Sequence, residues 1–168
     1  MDKIATAVAT ASQYLTDHPE EAGYTDSLAT ATLEAGLKVS VRGGSGESLT
    51  TDMPASIGGD GSAPSPGWYL RAAEAACVAT LIAMRAAQLG VKLGRVEVDV
   101  TSESDDRGIL GLDHDVPAGP LSTTIKVRFS DTASQGGSLS ELADWAVAHC
   151  PVVDAVLRAV PVLVEVSS

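Results

Sequence analysis

Two cysteines stand in this chain of 168 residues, Cys77 and Cys150, 73 positions apart. A thiolate is a nucleophile, a metal ligand and half of a disulfide, so these positions are the first place to look for chemistry. Two thiols are too few for the disulfide framework of a small secreted domain. A zinc site would need further ligands, and only His149 stands beside Cys150. Three options remain: buried inert thiols, one structural disulfide, or a redox pair. Cys150 immediately precedes Pro151, where a helix is expected to begin. The unpaired N–H groups and dipole there favour a thiolate, and a protonated His149 would add to the effect. Cys77 lies in Glu74-Ala75-Ala76-Cys77-Val78-Ala79-Thr80, expected mid-helix. The dipole gives it nothing and apolar surroundings raise its pKa. A reactive Cys77 therefore needs a cation from elsewhere, and Arg42 and Arg71 are the candidates. Glu74, one turn before Cys77 on the same face, opposes a thiolate unless it holds one of these arginines. A solvated or interface helix charge is its plainer role.

The elements that must position these thiols follow from periodicity. Ile4, Val8, Ala11 and Leu15 recur at helical spacing, predicting a short amphipathic helix over residues 2–16 that ends at His18-Pro19. Residues 28–33 and 37–42 flank Glu34-Ala35-Gly36 and read as a hairpin, with Leu37, Val39 and Val41 on one side. A third strand is expected over 47–51. The Gly- and Pro-rich stretch from Asp52 to Gly67 reads as loop, and it lacks the spacing of a phosphate-binding loop. A long Ala-rich helix over 68–89, closed by Gly90, is expected to be central and buried. Val96, Val98 and Val100 predict a strand over 94–104, and Ile125, Val127 and Phe129 another over 121–130, with an acidic loop between. Ser138-Leu139-Ser140-Glu141 has capping-box spacing for a helix over 139–148. Pro151 opens a second helix to residue 160, and 162–166 reads as a last strand. Hairpins outnumber βαβ units, so the fold class is α+β.

Composition narrows the partners. Apolar residues make up 45% of the chain, enough for a core, and aromatics only 4%, so that core is built from Ala, Val and Leu. Asp plus Glu number 22 against 11 Lys plus Arg, a net charge of −11. Nucleic acid and anionic membrane both require clustered cations, so neither is an expected partner. The apolar stretch 69–89 carries Arg71, Glu74 and Arg85, three charges that a membrane span of about 20 residues would not normally hold. With no secretory leader pattern at the N-terminus, the expectation is a soluble, cytoplasmic protein.

Several motifs carry a resemblance. Asp52-Met53-Pro54, Gly58-Gly59, Pro64-Ser65-Pro66, Leu70 and the run from Ala72 to Cys77 resemble the OsmC/Ohr family of hydroperoxide reductases. His149-Cys150-Pro151-Val152 resembles that family's second cysteine segment, and the likeness covers roughly residues 28–167. The resemblance implies an OsmC/Ohr-like fold, with antiparallel sheets packed around two central cysteine-bearing helices in an intertwined homodimer. Residues 1–27 would be an N-terminal helical extension and 28–168 a single OsmC-like domain. It also implies a thiol-dependent peroxidase that reduces organic hydroperoxides. Cys77 would become a sulfenic acid and Cys150 would close a disulfide with it. An external dithiol would reset the pair, with no bound cofactor or metal. Arg42 would supply the activating cation. Gly67 stands where active relatives carry a Glu that orients the arginine. The alternative is accordingly an OsmC-fold binding or scaffold protein with weak or no peroxidase activity.

Overall fold

The computed structural model describes residues 3–130 and 138–167; residue 2, where the sequence pattern begins the first helix, lies outside them. The chain forms two compact units, residues 10–72 and residues 73–168 together with 1–9. The first helix, α1 (Lys3–Asp17), has no buried residue. Its end is fixed by Tyr14, which stacks on His18 with ring centroids 4.4 Å apart and donates its hydroxyl to Glu21 at 2.5 Å.

Unit 10–72 holds an antiparallel meander, β1 (Ala29–Ala35), β2 (Lys38–Gly43) and β3 (Ser48–Thr51), in the order β1-β2-β3. Val41 lies opposite Ala31 on one side and Leu49 on the other. The hairpin forms where the sequence places it. Gly36 takes a left-handed φ of +58° in the turn, and the register shifts between Leu33 and Ala35, so both strands run one or two residues beyond their expected ends.

The long helix α2 (Pro66–Leu89) starts two residues earlier than periodicity alone predicts. The Ser65 hydroxyl accepts the Trp68 N–H at 3.3 Å, an N-cap bond, with Pro66 at the first helical position. Gly90 ends the helix at φ +68°, and the Val91 N–H returns to the Ala86 carbonyl. By length and composition α2 could cross a membrane. Its buried residues are Glu74, Val78, Ile82 and Ala86, a single stripe at every fourth position. That stripe is how a helix packs one face into a core, and of the helix expected to be central and buried it is this face that is buried.

In unit 73–168, β4 (Arg95–Glu103) pairs antiparallel with β5 (Ser122–Ser130). Val96, Val98 and Val100 face Phe129, Val127 and Ile125 across the ladder, so both expected alternations meet on one face. On the other face Arg128 reaches Glu97 and Asp99. The acidic connection is not all loop: α3 (Asp106–Ile109) forms there, capped by Asp105 accepting the Arg107 N–H. Next come α4 (Leu139–Ala148) and α5 (Pro151–Leu157). Val78 and Ile82 of α2, Ala146 of α4, Cys150 and Val153 form the buried core, with β4 and β5 side chains packed on it.

Three local expectations are corrected. Ser138 is the N-cap of α4, but its hydroxyl contacts the Ser140 hydroxyl at 2.5 Å and the capping box is not closed. The last helix stops at Leu157, three residues early. Residues 162–166 form no strand. Alternation alone cannot make one, because its N–H and C=O groups must pair with a neighbouring strand, and 162–166 is in neither described sheet. Val162, Leu163, Val164 and Val166 are exposed.

Candidate functional site

The sequence spacing of 73 residues is closed by the packing of α2 against the joint between α4 and α5. Cys150 caps α5: its φ of −78° and ψ of 113° turn the chain, and its sulfur accepts the Val153 N–H at 3.5 Å. It is wholly buried. Cys77 sits on α2 next to the buried stripe, half-buried, and packs against the same core. Both thiols are free.

Burial pushes the Cys77 thiol up, and the Cys150 sulfur beside it pushes the same way by accepting its proton in a hydrogen bond. The Val152 N–H, in the first turn of α5, opposes both by favouring the thiolate. The start of α5 thus offers one backbone donor to each sulfur: Val152 to Cys77 and Val153 to Cys150. Cys150 stands at the start of α5, as the Cys150-Pro151 pair predicts. The donor to Cys77 depends on tertiary packing and has no sequence signal.

The joint that presents Cys150 is braced from α4. The His149 ring stacks on Trp145, centroids 4.1 Å apart and planes inclined by 16°, and its Nδ1 donates to the Trp145 carbonyl at 2.7 Å. The Arg85 guanidinium covers the Trp145 ring at 5.0 Å. An exposed cation–π contact of this kind contributes about 0.5–1 kcal/mol. Sequence reading valued His149 for its charge and overlooked Trp145, although their four-residue spacing on a helix was visible.

Glu74 is buried, at 2% exposure. It borders a cleft of about 320 Å³ whose other walls are Thr123, Ile125, Val147, Val153, Val156 and Leu157. The solvated-charge role is therefore excluded. The cleft is aliphatic with one carboxyl group, a composition suited to a small apolar ligand.

Two further motifs lie in unit 10–72. The carboxylate of Asp52, 2% exposed, accepts from the Met53 N–H at 2.8 Å and from the Ser62 N–H and hydroxyl at 2.9 and 2.8 Å. These bonds hold its pKa below the usual carboxylate value, Ser62 contributing most. Gly59 packs so closely that a Cβ would lie 1.9 Å from the Met53 carbonyl oxygen. Asp52-Met53 and Gly58-Gly59 are thus parts of one tight loop. Gly67 is in the first turn of α2, where a Cβ would meet only Arg71 Nη1 at 3.8 Å and Ser65 Oγ at 4.0 Å. Arg42 is on β2 of the same unit, opposite Thr30 and Ser48, at the rim of a cleft of about 260 Å³ with Leu28, Val41 and Glu47. The two cysteines share one unit and Arg42 belongs to the other. Among the described residues no cluster of three or more His, Cys, Asp or Glu side chains could hold a metal ion.

Comparison with known proteins agrees with the fold. The family model for OsmC-like proteins matches residues 59–165. The structure resembles an OsmC-like protein from Mycoplasma pneumoniae at a TM-score of 0.67, with 15% identity over 80% of this chain and 89% of that one. It also resembles the organic hydroperoxide resistance protein OsmC of Legionella pneumophila, at a TM-score of 0.57 with 20% identity, over 80% of this chain and 90% of that one. An OsmC-like protein from Vibrio cholerae aligns at 0.63 and 10% identity, covering 79% and 94%. No curated protein matches the sequence.

Proposed function

Because the chain belongs to the OsmC-like family, we propose that it is a thiol-dependent peroxidase reducing organic hydroperoxides, with Cys77 as the attacking thiol and Cys150 as the resolving one. One observation carries the reading: two free thiols from distant parts of the sequence meet in one core cluster beside the N-terminus of α5. In the first step the Cys77 thiolate attacks the peroxide. The O–O bond breaks, an S–O bond forms, and the alkoxide leaves to take up a proton as the alcohol. In the second, Cys150 sulfur displaces the hydroxyl of the sulfenic acid, giving a Cys77–Cys150 disulfide and water. An external dithiol then reduces the disulfide and is itself oxidised.

The assignment of Arg42 to thiolate activation rests on the family resemblance. Burial holds Cys77 protonated, so a cation is the missing contribution to its reactivity. Arg42→Ala should then slow oxidation of Cys77 and leave the fold intact. The acidic surface suits neutral hydroperoxides over nucleic acid or anionic membrane. Free thiols fit a reducing, cytoplasmic setting. The exposed Leu33, Leu112, Leu157 and Leu163 support a homodimer that covers them.

Titration of the reduced protein with one equivalent of an organic hydroperoxide tests the proposal. Both thiols should disappear together and yield an intramolecular disulfide; thiols that survive prolonged excess would overturn it. Gly67 and the raised Cys77 favour a second reading, a binding protein on the same scaffold. A ligand-dependent rise in melting temperature that persists in Cys77→Ser would select that one.

A further inference from the structure

The polypeptide between α4 and α5 changes direction over just two residues, His149 and Cys150. Cys150 is wholly buried, whereas His149 is exposed. Their backbone is tied on the α4 side by His149 N–H to the Trp145 carbonyl at 3.1 Å and Cys150 N–H to the Val147 carbonyl at 3.3 Å. On the α5 side the Asp154 N–H reaches the Cys150 carbonyl at 2.9 Å. To these ties the side chains add a column: Arg85 from α2, the Trp145 indole, then the His149 imidazole, whose Nδ1 bonds back to the Trp145 carbonyl. An exposed ring that is both stacked and hydrogen-bonded to its own helix can hardly reorient. The residue after it is thereby confined.

We propose that Trp145 and His149 are positioning residues for Cys150: the stack latches the joint, keeps the Cys150 sulfur buried beside Cys77, and so governs disulfide closure. The latch acts directly on the second thiol and only through it on the first, since Cys77 belongs to α2 and its own helix is continuous through it. The consequence for disulfide formation rests on the peroxidase reading; the consequence for burial of Cys150 does not.

Two measurements on the full chain decide the matter. The first is native-state alkylation of each cysteine by iodoacetamide, followed by mass spectrometry. His149→Ala, a change at an exposed position, should speed alkylation of Cys150 by about tenfold, the scale set by loss of one aromatic stack. Alkylation of Cys77 should rise less than that of Cys150, and His149→Phe, which keeps the stack, should return Cys150 most of the way to the wild-type rate. Trp145→Ala is the stronger variant where it folds. The second is exposure to one equivalent of an organic hydroperoxide with a 1,3-diketone present to trap sulfenic acid. Loss of the Cys77 thiol should proceed at no less than the wild-type rate in His149→Ala, while the trapped Cys77 adduct rises at the expense of disulfide. Unchanged Cys150 alkylation in both alanine variants would overturn the latch. Equal acceleration at both cysteines would overturn it too, as general loosening. If the wild-type thiols resist hydroperoxide, the peroxidase reading fails, and the alkylation result still decides the latch.

Discussion

Cys77 packs against the core cluster that holds Cys150, and the sulfur of Cys150 is itself the acceptor for the Val153 N–H. Burial and the neighbouring Cys150 sulfur both hold the proton on Cys77. Alkylation of Cys77 should therefore rise with pH through a midpoint above the ordinary thiol value of 9.0. Cys150→Ala removes the acceptor and should lower that midpoint. Native Cys77 keeps its proton to higher pH than the unfolded chain does, so its contribution to stability is complete below about 9 and is lost as pH rises through the native value. A midpoint that stays put in Cys150→Ala would show that burial alone sets it.

Gly67→Glu is expected to stabilise the protein by about 1–2 kcal/mol. It replaces a helical glycine, places an acid in the first turn of α2, and sets a carboxylate four residues before Arg71. On the peroxidase reading it should also raise the rate of Cys77 oxidation. Urea unfolding and stopped-flow thiol consumption measure the two effects separately. A gain in stability with no gain in rate would leave the family carboxylate without a catalytic role in this chain.

Ile82 and Leu89 occupy the same helix with opposite consequences. Ile82 is wholly buried and Leu89 is half exposed. Ile82→Ala should cost about 2–5 kcal/mol through lost burial and a residual cavity. Leu89→Ala should stay within about 0.5 kcal/mol. Similar costs in chemical denaturation would contradict the single buried stripe of α2.

In the loop at Asp52, Gly59→Ala forces a methyl group onto the Met53 carbonyl and should destabilise the protein by about 1–3 kcal/mol. Asp52 has a lowered native pKa, so its contribution is complete above the ordinary carboxylate value of 3.8 and is lost as pH falls through the native one. Asp52→Asn should accordingly reduce stability at neutral pH and flatten its decline in acid, as thermal melts across that range would reveal.

If a second copy covers the exposed leucines, melting temperature should climb with protein concentration. Sedimentation at micromolar concentration should find twice the monomer mass. A monomer with a concentration-independent melt would send those side chains in search of another explanation.

Much of this was legible before any coordinates. Period-two alternation located β2, β4 and β5 to within one or two residues, and Gly90 located the end of α2. These signals are local, and the partners that satisfy them are close by. The start of α2 was also written locally, in Ser65-Pro66, but the Gly- and Pro-rich stretch before it concealed the cap. By contrast, the valines at 162–166 carry a strand pattern whose completion needs pairing with another strand, and they pair with none of those described. At the site, the sequence marks both cysteines as the candidates for chemistry. What escaped was the burial of Glu74 and the Val152 amide at Cys77, because packing between helices decides both.

The sulfur that caps α5 has a consequence for how the protein can be watched. The Val153 amide is bonded to an atom that exchanges its hydrogen for a second sulfur when Cys150 enters a disulfide. A sulfur shared with another sulfur is a poorer acceptor than a thiol or thiolate, so that amide should lose protection on oxidation. The exchange rate of one backbone hydrogen then serves as a built-in gauge of redox state, readable by NMR without label, dye or substrate.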